Sequence, residues 1–171
     1  MSLSTNDIRQ KFIEYYEKKE HEAVPSSPLV PENDPTTLFT GSGMQPMLQY
    51  LLGKPYPSGS SRIVDSQKCF RAADIEEVGD NRHTTFFEML GNWSFGDYWK
   101  EDQLRWAFEF LVDELGIDPT RLYVTAFDGD EKNGIPRDEE AVEIWKKLFE
   151  EKGITAEVGD RIGYYAADKN W

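Results

Sequence analysis

The chain has 171 residues, enough for one domain with its own core, and 39% hydrophobic with 13% aromatic residues describes a folded protein rather than a disordered one. Its 32 acidic side chains outnumber the 19 basic ones, and the resulting net charge of −13 disfavours general nucleic-acid binding, so any RNA contact must be local or made by other residues. One cysteine excludes an internal disulfide, two histidines beside it are too few for a typical structural zinc site, and no apolar run approaches the ~20 residues of a membrane span or forms a secretion signal. A reducing, cytoplasmic setting follows as the expectation.

Taken in order, Thr5 to Lys19 predicts an amphipathic helix. Ser4 or Thr5 caps it, Asp7 complements its N-terminal dipole, and Ile8, Phe12 and Tyr15 form its buried stripe. His21 follows as a solvated or locally bonded loop residue. Val24 to Val30 contains Pro25 and Pro28, so it reads as an edge strand or an extended crossing segment. Asn33-Asp34-Pro35 is a turn and Thr36 to Thr40 a short strand. Gly41-Ser42-Gly43 then turns the chain into a helix from Gln45 to Leu52. Lys54 to Ser61 is a surface loop.

The central stretch predicts a hairpin. One strand runs from Ile63 to Ala72, with Cys69 packed inside it. A polar turn spans Ala73 to Asn81. A second strand runs from His83 to Leu90 and stops at Gly91-Asn92. Arg71 and Arg82 then fall at the same end of the sheet, flanking a floor of Phe86, Phe87 and Met89. Two planar cations over an aromatic floor suit a ligand with phosphates at one end and a flat ring at the other. The same pattern also describes an ordinary surface hairpin with its phenylalanines in a core.

Beyond it, Glu101 to Leu115 predicts a helix with Leu104, Phe108, Leu111 and Leu115 inward, ended by Gly116 and Pro119. Arg121 to Phe127 is a buried strand. Asp128 to Arg137 is a loop without EF-hand spacing. Asp138 caps a helix to Lys152, with Ala141, Ile144 or Trp145, and Leu148 inward. Ala156 to Tyr165 carries a further strand. The expected class is α+β, a mostly antiparallel sheet flanked by helices.

KCFRA followed by VGDNRHTTFFEMLGNWSFGDYWK resembles the second signature motif of class II aminoacyl-tRNA synthetases, in the form of the alanine-specific branch. Upstream, VPSSPLVPENDPTTLFTGSGMQPMLQYLLG is similar to that branch's first-motif region. The resemblance extends from about Thr5 to Trp171. It implies the class II catalytic-domain fold and activation of alanine with ATP to alanyl-adenylate, followed by transfer to tRNA(Ala).

By the same resemblance, Arg71 holds the α-phosphate; Arg82, at the start of the second strand, is positioned to reach the distal phosphates, Phe86 to stack on adenine, and Thr84 to contact ATP. Met44 helps wall the alanine pocket, a residue that pattern alone equally describes as a core filler. Trp171 lines both the ATP and the alanine sites. Magnesium accompanies the nucleotide, and zinc belongs only to an editing domain of which no part is present. Many relatives carry histidine where this chain has Thr84, with His83 one residue earlier. The connection between the two arginines is shorter than in many relatives and acidic.

The family's third motif lies beyond Trp171, so residues 1–171 are expected to be the N-terminal portion of one catalytic domain, inactive in isolation. Contact with tRNA is then expected mainly through regions outside it. Self-association through an open sheet edge is a further expectation. The alternative is a non-enzymatic, synthetase-like protein that binds a nucleotide or a partner.

Overall fold

The computed structural model describes residues 3–31 and 37–169; the Asn33-Asp34-Pro35 turn and the first residue of the expected Thr36–Thr40 strand lie outside them. The chain divides into two compact units, Met1–Asp97 and Tyr98–Trp171.

In the first unit, helix α1 (Thr5–Glu17) begins at a reciprocal cap: the Asp7 amide donates to Ser4 Oγ at 3.2 Å and the Ser4 amide to Asp7 Oδ2 at 2.8 Å. Phe12, Tyr15 and Tyr16 are its buried residues. His21 packs its ring edge-on against Tyr16 and is bonded through Nδ1 to the Tyr16 and Lys19 carbonyls, so it is locally bonded and buried rather than solvated. Burial pushes its imidazole below the usual histidine range.

Strand β1 is only Glu22–Ala23, parallel to the following strand, and Val24–Val30 is the crossing segment of the two forms expected. Prolines 25 and 28 supply no amide hydrogens, and side chains replace the ladder. The Gln67 amide group accepts from the Ser27 N–H at 2.9 Å and donates to the Ser27 carbonyl at 3.1 Å, while Ser26 Oγ accepts the Lys68 N–H. Residues 37–40 form no strand, but Thr40 is pinned to Leu29, Pro28 and Phe70 by three hydrogen bonds. Helix α2 (Met44–Leu51) follows the glycine turn.

Strands β2 (Arg62–Phe70) and β3 (Phe86–Ser94) make the antiparallel hairpin, in register from Arg62↔Ser94 to Phe70↔Phe86. Both expected boundaries of the second strand move. It starts at Phe86 because the Asp80 carboxylate takes the N–H groups of Arg82 and His83, which are then lost to any ladder. It runs through Gly91 because that glycine is a close-approach position opposite Asp65, not a stop. A Cβ there would lie 2.7 Å from Asp65 Oδ1 and 2.7 Å from Trp93 Nε1. The connection opens with a 3-10 turn over Ala72–Glu77.

In the second unit, helix α3 (Lys100–Glu109) widens into a π turn over Phe110–Glu114. Strand β4 (Val124–Phe127), helix α4 (Glu139–Glu151, capped by Asp138) and strand β5 (Ile162–Tyr165) follow. β4 and β5 pair in parallel, as strands joined through a helix do. Phe108, Ala126, Val142, Leu148, Phe149 and Ile162 meet in the core between them. The expected inward residues Ala141 and Leu148 are joined by Val142 and Phe149. The α+β class holds. Its antiparallel part is the β2–β3 hairpin, while β1–β2 and β4–β5 are parallel. Among the described residues no helix is long and apolar enough to cross a membrane.

Phe149 is fully buried, against Phe108 and Trp145. Phe149→Ala should cost about 3–5 kcal/mol in a denaturant titration. Asp65 is fully buried with Oδ2 unpartnered, and burial pushes its carboxyl up to about 6. A carboxyl raised in the folded state contributes stability below its unfolded value of ~3.9 and loses it as pH rises through 6. Asp65→Asn should therefore match the parent at pH 4 and exceed it at pH 8 by up to roughly 3 kcal/mol, read from paired melts.

Candidate functional site

Alternation along the hairpin sorts its residues onto two faces. Ser66, Lys68, Phe86, Glu88 and Leu90 stand toward α1, where Arg9 binds Glu88 through Nε at 2.8 Å and Nη2 at 3.0 Å, while Phe70 at the end of this face packs its ring against Phe39. That pairing holds the Glu88 carboxyl below its usual range. Ile63, Asp65, Gln67, Cys69, Phe87, Met89, Gly91 and Trp93 stand on the other face, which the glycine turn at 41–43 covers. The Gly43 N–H donates to Met89 Sδ at 3.3 Å.

Arg71 continues this second face. Its amide donates to the Thr85 carbonyl at 2.8 Å, which extends the hairpin by one bond. Its Nε donates to the Gly41 carbonyl at 3.0 Å, and the guanidinium lies 5.3 Å from the Phe87 ring centroid. No carboxylate among the described residues pairs with it. The outer nitrogens of a guanidinium anchored at Nε are thus available to a bidentate anion.

The other expected residues are distributed unevenly. Met44 opens α2 next to Gly43 and is 41% exposed. Arg82, His83 and Thr84 belong to the connection rather than to the strand. Arg82 is exposed, and its guanidinium has no partner among the described residues. His83 is held between Asp80 (Nδ1, 2.7 Å) and Glu77 (Nε2, 2.8 Å). The hydrogen bonds from His83 and Arg82 hold the Asp80 carboxyl down to about 2. Thr84 is exposed. Phe86 is 52% exposed but stands on the α1 face, so the hairpin does not bring it to Arg71; Phe87 is the ring that shares the Arg71 face. Phe86, Phe87 and Met89 therefore form no single floor. Trp171 lies outside the described residues.

Sequence reasoning missed the roles of Phe87, Gln67, Asp65 and Trp93. Their signal was present, because alternation puts Asp65, Gln67, Cys69 and Arg71 on one side of their strand and Phe87, Met89, Gly91 and Trp93 on one side of theirs. The pairing that places the two sets together could be fixed only once the true start of β3 was known. Among the described residues no three His, Cys, Asp or Glu side chains are placed to hold a metal ion.

Comparison with known proteins gives this geometry a context. Residues 7–167 match the family model described as tRNA synthetases class II (A). The chain is 45% identical to an alanine–tRNA ligase of Treponema denticola across 99% of its own length and 27% of the relative's. It is 49% identical to the alanine–tRNA ligase of Treponema pallidum across 85% of the chain and 24% of the relative. To that of Cytophaga hutchinsonii it is 46% identical across 89% and 18%. The chain thus spans about a quarter or less of the length of these relatives. With a family model matched over nearly all of its residues, this chain belongs to the class II (A) tRNA synthetases.

Proposed function

We propose that the Arg71 face of the hairpin binds ATP and alanine and joins them as alanyl-adenylate, within an alanine–tRNA ligase that transfers the alanyl group to tRNA(Ala) in the cytoplasm. The observation that carries this reading is Arg71 itself, anchored at Nε on the Gly41 carbonyl and lying over Phe87. The names of the relatives supply the amino acid.

The reaction joins a carboxylate oxygen of alanine to the α-phosphorus and breaks the bond to the leaving pyrophosphate. The nucleophile is already ionised, so no protein base is needed in this step. The demand on the protein is alignment and neutralisation of charge gathering at the α-phosphoryl oxygens. Arg71 meets that demand with its outer N–H groups, since Nε is already committed to Gly41. Phe87 offers a ring for adenine stacking on the same face, worth roughly 1–3 kcal/mol by analogy with base stacking. Arg82, exposed on the connection and without a partner among the described residues, is the cation proposed to meet the distal phosphates, with Thr84 nearby as a hydroxyl donor. Met44, next to the glycine turn, is a proposed wall of the alanine pocket, and the proposed part of Trp171 in ATP and alanine binding rests on the family resemblance alone. On the Arg71 face the strands' carboxylate is the buried Asp65, so a magnesium ion would be held chiefly by the nucleotide's own phosphates. Among the described residues β3 pairs only with β2, and its outer edge is where self-association of this chain would begin.

Arg71→Ala in the ligase should lower alanine-dependent pyrophosphate exchange at least ~100-fold while leaving the melt unchanged. Arg71→Lys should recover little, because a point charge cannot keep both the Gly41 bond and a bidentate grip. Near-parental exchange by a folded Arg71→Ala protein would remove Arg71 from the mechanism. Because a methyl group offers little to grip, adenylate formation with glycine or serine should trail alanine by only ~10–200-fold. Discrimination above ten-thousand-fold in an editing-free enzyme would contradict this pocket.

A further inference from the structure

Trp93 is enclosed by two glycines from different parts of the chain. A Cβ on Gly91 would meet its Nε1 at 2.7 Å, and a Cβ on Gly43 would meet its Cζ2 at 3.3 Å. Neither glycine is required by conformation: Gly43 has ordinary right-handed helical angles (φ −64°, ψ −30°), and Gly91 is not among the glycines with positive φ. The indole excludes a Cβ at position 91 and leaves little room for one at position 43. The indole in turn is fixed by one polar contact, Nε1–H donating to Asp65 Oδ1 at 3.0 Å, and the Asp65 carboxylate occupies the space that the missing Gly91 side chain leaves open. Keeping a fully buried carboxyl with one unpartnered oxygen is costly, and an apolar residue would pack there more stably. What the cost secures is the position of the indole. The indole supports Gly43, two residues from the Gly41 carbonyl to which Arg71 Nε is bonded.

We propose that Asp65 and Trp93 form a buried brace that sets the height of the 41–43 turn and, through the Gly41 carbonyl, the orientation of the Arg71 guanidinium. Asp65 and Trp93 are positioning residues: they act on the reaction only through Arg71. The inference deepens the adenylate-forming reading and rests on it for its kinetic arm.

The structural arm needs no activity. In the 15N-labelled chain the Arg71 Nε–H signal is identified by its loss in Arg71→Lys. Trp93→Phe, which keeps an aromatic ring and removes the donor, should speed hydrogen exchange at Arg71 Nε at least fivefold. Asp65→Asn, which keeps an acceptor for the indole, should leave it within twofold. In the kinetic arm, run in the ligase, Trp93→Phe should lower the kcat of alanine-dependent pyrophosphate exchange about tenfold. Added to Arg71→Lys, it should change kcat less than twofold, because both substitutions act on one interaction. Unchanged Arg71 Nε exchange in folded Trp93→Phe, or fully multiplicative kinetic effects, would overturn the brace. Should Trp93→Phe fail to fold, Asp65→Leu is read by the same two measurements. If Arg71→Ala leaves pyrophosphate exchange intact, the adenylate reading fails while the Nε measurement still decides the brace.

Discussion

The pairing of β2 with β3, from Arg62↔Ser94 to Phe70↔Phe86, decides which side chains of this domain can meet a ligand together. In an antiparallel pair a slip of one residue exchanges the faces of a whole strand. With the register as it is, Arg71, Phe87 and Met89 share a face with the glycine turn, and Phe86, Glu88 and Leu90 face α1. The register is locked at several points. Glu88 is tied to Arg9 of α1, Gln67 to Ser27, and Gly91 fits only opposite the Asp65 carboxylate. A slipped β3 would put a side chain where Gly91 now admits a carboxylate, and would take Glu88 away from Arg9.

Polar groups inside this unit do structural work that an apolar core cannot. Gln67 lets a proline-broken segment lie beside a strand without a ladder, because its amide carries the donor and acceptor that the backbone lacks there. Asp65 holds an indole in place at the cost of one unpartnered oxygen. Each fixes a position near the turn that anchors Arg71, a pattern expected where geometry at a site is worth more than the last increment of folding free energy.

Much of the architecture was legible in the residues. The capped helix from Thr5, the helix from Asp138 and the hairpin itself came from periodicity and caps, and their local signals agree with the fold. The parts that were not legible have identifiable causes. Gly91-Asn92 resembles a strand stop, and only the Asp65 carboxylate across the ladder makes that glycine a strand residue. Asp80 captures the amides of Arg82 and His83, so three residues that look like strand remain in the connection. That capture also explains the choice of Phe86: with β3 starting at His83 no ladder partner distinguishes the two phenylalanines, whereas the Cys69↔Phe87 pair does. The parallel pairing of β4 with β5 depends on where α4 returns the chain, which no local pattern encodes.

In the proposed reading the ligand is ATP, and the register makes a specific statement about how it would lie. The most direct test is an isotope-filtered NOE spectrum of ATP bound to the domain, with Phe86 and Phe87 distinguished by substitution. The account predicts cross-peaks from the adenine H2 and H8 protons to the Phe87 ring and none to Phe86. Adenine contacts to Phe86 without Phe87 would place the base on the α1 face, away from Arg71, and would contradict the site as built here.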